Sequence, residues 1–87
     1  MKKIEIIPIA KKKLLRRGIS EKMVTETMTS PIQIVKGYGE RRVAHRKHFV
    51  KDKEYLLRVV YEEKEESYVV VTAYLTSQIK RYWEEEK

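Results

Sequence analysis

The apolar residues change their period part-way along the chain, and that change limits the fold more than any other feature. Before Ser30-Pro31 they recur at helical spacing, and after it they alternate with a period of two. Ile9, Ala10, Lys13, Leu14 and Arg17 lie at helical intervals, with Leu14-Leu15 as the apolar anchor and Gly18 just past the expected end. Ser20 is a suitable N-cap for a second helix, with Ile19 placed to pack on Val24 and with Met23, Thr27 and Met28 continuing a buried stripe. Ser30-Pro31 ends that helix, so two helices form a pair joined by Gly18-Ile19.

The second half reads as strands. Ile32 to Lys36 runs into Gly37-Tyr38-Gly39, whose glycines allow a turn with positive φ. Arg42 to Val50 alternates weakly, with Val43, His45, Lys47 and Phe49 on one side and Ala44, Arg46 and His48 on the other. Asp52-Lys53 is the expected second turn. Tyr55 to Glu62 places Tyr55, Leu57, Val59 and Tyr61 on one face and Leu56, Arg58 and Val60 on the opposite one, the pattern of a central strand covered on both sides, and Tyr68 to Leu75 repeats it. Ile4, Ile6 and Ile7 suggest a short leading strand, and Ile79, Tyr82 and Trp83 a short closing helix capped by Thr76 or Ser77. The expected fold is α+β: two N-terminal helices and a C-terminal helix packed on one face of a curved antiparallel sheet of three to four strands.

Eighty-seven residues without a linker or repeat make residues 1–87 a single domain. The absence of cysteine excludes a disulfide framework and a thiolate metal site and points to an intracellular, cytoplasmic protein. No apolar stretch approaches the roughly 18 residues of a membrane span, and no signal peptide is expected.

The net charge of +7 is informative through its placement. Residues 1–17 hold seven cations against Glu5, and residues 36–58 hold eight against Glu40, Asp52 and Glu54. Acid gathers at Glu62, Glu63, Glu65 and Glu66 and again at Glu84, Glu85 and Glu86. Such segregation fits a basic face that attracts phosphate or an acidic protein. Lys11, Lys12, Arg16, Arg41, Arg42, Lys47 and Lys80 are the expected nucleic-acid contacts. Arg58 is the sharper signal, because a charge among apolar neighbours in a central strand needs a partner or a groove. His45 and His48, spaced i, i+3 with no cysteine or carboxylate cluster nearby, do not make a metal site, and no metal or cofactor is expected.

The run Ile9-Ala10-Lys11-Lys12-Lys13-Leu14-Leu15-Arg16-Arg17-Gly18-Ile19-Ser20 resembles the opening of a small prokaryotic family known as a domain of unknown function. The strands Leu57-Arg58-Val59-Val60-Tyr61 and Val69-Val70-Val71-Thr72-Ala73-Tyr74 and the ending Lys80-Arg81-Tyr82-Trp83 extend the resemblance over nearly the whole chain. That family is similar to the RelE/ParE toxins. The resemblance implies their order of elements, RNA or the ribosome as target, and an acidic antitoxin as partner. Ile9 stands where the family usually carries His, so any role of that His is absent here or has moved, and an apolar Ile9 reads as core. Metal-free RNA cleavage needs a base, a donor to the leaving 5′ oxygen and cations for the developing charge. Arg46, His48, Arg58 and Arg81 are the expected catalytic set, conditional on the sheet register. The competing readings are a nucleic-acid-binding module without catalysis and a protein-interaction module using Tyr82, Trp83 and the sheet edge.

Overall fold

The computed structural model describes residues 2–83, so the acidic run Glu84-Glu85-Glu86 lies outside the described residues. The chain forms β1 (Lys3–Ile6), α1 (Pro8–Arg16), α2 (Glu21–Thr29), β2 (Gln33–Lys36), β3 (Arg42–Val50), β4 (Lys53–Glu63), β5 (Ser67–Thr76) and α3 (Ile79–Tyr82).

Both N-terminal helices form for the local reasons visible in the sequence. Pro8 occupies the first turn of α1, where its missing N–H costs nothing, and Lys13 and Arg16 sit in the last turn against the negative end of the helix dipole. Gly18, at φ +67, turns the chain out of α1. The Ser20 hydroxyl accepts from the Met23 N–H at 3.1 Å, and Ile19 and Val24 are both buried in the same cluster. The outer side of α1 differs from expectation: Ile9 is 58% and Leu15 84% exposed, and Ala10 and Leu14 alone supply the buried contacts of this helix.

The sheet has five strands in the order β1-β5-β4-β3-β2 and is mixed. Three to four antiparallel strands therefore understate it: β1 pairs parallel with β5, from Lys3 opposite Ser67 to Ile6 opposite Val70, while the other three pairings are antiparallel. Pairing of this kind joins segments some 60 residues apart, and nothing in the short Lys3–Ile6 run indicates its neighbour or its direction. The turn between β3 and β4 is Lys51-Asp52, both with positive φ, one residue earlier than expected; two left-handed residues match the twist of a two-residue hairpin. The β4–β5 ladder carries a register shift at Val60/Tyr61.

The main core lies on one face, where Leu14, Ile19 and Val24 of the helical layer meet Ala44, Leu57, Val59, Tyr61, Val70 and Ala73. Register places Val43, His45, Lys47, Leu56, Arg58, Val60 and Tyr74 on the opposite face. α3 covers that second face, because Tyr82 lies on Arg58 and Trp83 on His45. The three helices thus do not share a face, contrary to expectation.

Candidate functional site

A polar row crosses the second face at one level. Gln33, His45, Arg58 and Tyr74 are direct cross-strand partners on β2, β3, β4 and β5, so their side chains stand side by side. Arg58 Nε donates to His45 Nε2 at 3.0 Å, and Arg58 Nη1 donates to the Tyr74 hydroxyl. His45 Nε2 is therefore the unprotonated nitrogen, and Nδ1 carries the proton, which it donates to Gln33 Oε1 at 3.1 Å. His45 is fully buried. Burial first, and the Arg58 charge second, lower its pKa from 6.5 to about 4, so the ring is neutral and both its nitrogens are engaged. It positions Arg58 and has no free lone pair with which to take a proton from a substrate.

Aromatic rings of α3 and its following residue complete the cluster. The Arg58 guanidinium lies 4.1 Å from the Tyr82 ring centre, and the Tyr74 and Tyr82 rings meet edge to face. Trp83 stacks on His45 with centroids 6.3 Å apart, and Lys47 Nζ lies 4.8 Å from the centre of the Trp83 ring. Arg58 is half-buried, and none of the ion pairs among the described residues involves it. Two of its five N–H groups are committed, so a fixed guanidinium with spare donors faces the α3 side.

The four residues expected to act together fall on two faces. Arg46 and His48 belong to the α2 side: Arg46 Nη1 donates to the Ser30 carbonyl at 2.7 Å, closing the C-terminal end of α2, and His48 Nε2 lies 3.5 Å from the Thr27 hydroxyl. Burial and then Arg46 lower the His48 pKa, with Glu26 opposing. Arg58 and Arg81 lie on the α3 side, and the Arg81 guanidinium is 5.5 Å from the Tyr82 ring centre. Lys47 and Lys80 join them there, lining one groove with Arg81. Lys11, Lys12 and Arg16 are exposed on α1, which packs against the other face, and Arg42 opens β3 opposite Tyr61, on the core side. Arg41 Nε bonds Glu62 at 3.2 Å. The bonds from Arg41 and Lys64 hold the Glu62 carboxyl below its usual range, as Lys2 does for Glu63.

His45, Gln33, Tyr74, Tyr82 and Trp83 were not in the expected site set. His45 was not legible from the turn expected at Asp52-Lys53, which would put Lys47 opposite Arg58; the observed turn at Lys51-Asp52 puts His45 there.

The family described as a domain of unknown function, DUF4258, matches residues 10–75. The chain belongs to that family. Within this DUF4258 domain the match runs from Ala10 in α1 to Leu75 in β5, so Gln33, His45, Arg58 and Tyr74 lie inside it and Tyr82 and Trp83 beyond it. No curated protein and no solved structure matches the chain. Among the described residues no helix is long and apolar enough to cross a membrane, and no group of three His, Cys, Asp or Glu side chains could hold a metal ion.

Proposed function

We propose that this protein binds RNA in the cytoplasm through the α3 side of the sheet, with Arg58 as the phosphate anchor. The observation that carries this reading is the immobilised guanidinium: His45 and Tyr74 fix its plane and Tyr82 backs it, while Lys47, Lys80 and Arg81 line a groove on the same side of the sheet. A cation whose rotamer is already restrained loses less entropy on gripping a phosphate than a free lysine does.

The test is titration of a labelled single-stranded RNA over a range of salt. Four contacting cations correspond to a slope of log K against log salt of about −3, at roughly 0.7 per phosphate. Arg58→Ala should weaken binding roughly 10- to 150-fold, the cost of about 1.5–3 kcal/mol for a hydrogen bond to a charged group. Lys12→Ala, on the other side of the molecule, should bind within about 2-fold of wild type. Equal losses in the two variants, or a flat salt dependence, would remove Arg58 as the anchor.

A second reading is a metal-free ribonuclease of the RelE/ParE kind, acting on ribosome-bound message and neutralised by an acidic antitoxin. One contact favours it: Tyr74 accepts from Arg58, which leaves the phenol proton free to pass to a leaving 5′ oxygen beside a cation that stabilises the phosphorane, while solvent water takes the proton of the attacking 2′ hydroxyl. Tyr74→Phe should then retain RNA binding and lose cleavage by roughly 10²-fold. Absence of cleavage by the wild type, with binding intact, leaves the non-catalytic reading.

A further inference from the structure

Phe49 is 72% exposed on a face whose other large apolar side chains are covered. A single exposed ring is ordinary on a protein surface, and Phe49 is set apart by its surroundings. Register puts Phe49 on the same face as His45 and Lys47 and directly opposite Glu54 on β4. Lys47 and Glu54 line a groove of about 790 Å³ that continues along Ser77, Gln78, Ile79, Lys80 and Arg81 at the start of α3. The groove therefore has an exposed aromatic ring beside its lining, an isoleucine within it and three cations along it. An aromatic platform next to a line of cations is the arrangement that holds an unpaired nucleotide, the ring taking the base and the cations the backbone. Duplex RNA offers its phosphates and no free base face, so it gains nothing from the ring.

We infer that the groove between the β3–β4 hairpin and α3 is a nucleotide subsite for unpaired RNA, with Phe49 as stacking platform and Lys47, Lys80 and Arg81 as phosphate contacts. The inference rests on the RNA-binding reading and adds the strandedness of the ligand. Glu54, the carboxylate in the lining, is the cross-strand partner of Phe49, and in this subsite it would accept from the exocyclic amino group of a base stacked on that ring.

The experiment compares a labelled ten-nucleotide single strand with its duplex, by anisotropy, for wild type, Phe49→Ala, Phe49→Trp and Tyr38→Ala. Tyr38 is a still more exposed ring, on the β2–β3 loop, and controls for a general loss of aromatic surface. Phe49→Ala should lose roughly 5- to 150-fold on the single strand, the range for one stacked base, with duplex binding and the salt slope unchanged. Phe49→Trp should keep wild-type preference, and Tyr38→Ala should not alter it. Equal affinity of Phe49→Ala and wild type for the single strand, while Arg58→Ala still weakens it, overturns the subsite and leaves the RNA-binding reading standing. The same loss on both RNA forms also overturns it. Failure of the wild type to bind either form at low salt overturns both.

Discussion

Replacing His45 by Gln separates the positioning role of this ring from its titration. The folded pKa is about 4 against 6.5 for an unburied histidine. A base whose pKa is lowered by folding takes up its proton more readily when unfolded, so its contribution is complete above about pH 6.5 and is lost as the pH falls toward 4. The full difference of about 2.5 units corresponds to ~3 kcal/mol, of which ~2 kcal/mol falls between pH 7 and pH 5. That is a large share of what a domain of this size possesses, and it should lower the melting temperature by about 8–16 °C. Protonation at Nε2 would also set a second positive charge against Arg58 Nε, 3.0 Å away. Glutamine offers Arg58 a neutral acceptor and does not titrate. Urea unfolding at pH 7 and pH 5 should show wild type losing ~2 kcal/mol more than His45→Gln over this interval. His48 is present in both proteins, and Glu62 and Glu63, whose carboxyl pKa values are lowered, titrate below the window. Identical pH dependence in the two proteins would refute the buried neutral histidine.

Ser20→Ala removes the hydroxyl that accepts from the Met23 N–H and should cost about 1 kcal/mol by urea unfolding, with Ser20→Asp restoring most of it. Leu56→Ala empties a fully buried position and should cost about 2–5 kcal/mol, with a cost below ~1 kcal/mol showing that this side of the sheet is not packed as described.

The two N-terminal helices were legible because their signals are local, whereas the number of strands and the mixed sheet were not. The Ser20 cap, the Gly18 exit and the stop at Ser30-Pro31 each act within a few residues, and α2 runs from Glu21 to Thr29 as they dictate. The face of Arg58 was legible too. A two-residue hairpin turn pairs odd with even positions, so Arg58 faces His45 with the turn at Lys51-Asp52 and would face Lys47 with the turn one residue later. Neither placement brings it to the side of Arg46 and His48, and a grouping of all four asked more of the sheet than pleating allows. The parallel partner of β1 and the face taken by α3 were not legible. Both depend on contacts between distant segments: Ile4 beside Tyr68, and Tyr82 over Arg58.

The basic residues also differ in how much of their charge is spent inside the fold, a distinction that composition hides. Arg17 donates to the Ala73 carbonyl at 2.8 Å and so ties the end of α1 to β5, Arg46 closes α2, and Arg41, Lys2 and Lys64 face the carboxylates of Glu62 and Glu63. Arg17 and Arg46 serve the structure first, and their loss should be felt in stability, whereas the exposed pairs of Lys2, Arg41 and Lys64 add little to it. Arg58, Lys47 and Arg81 rest instead on aromatic rings, contacts that orient a cation without neutralising it. A ring leaves the N–H groups at the guanidinium edge free, whereas a carboxylate would occupy them. The cations therefore include some spent on carboxylates and main-chain carbonyls and others, Arg58, Lys47 and Arg81, that are oriented on the α3 side with no carboxylate partner among the described ion pairs, and an anionic ligand gains most where positioning is complete and neutralisation is not.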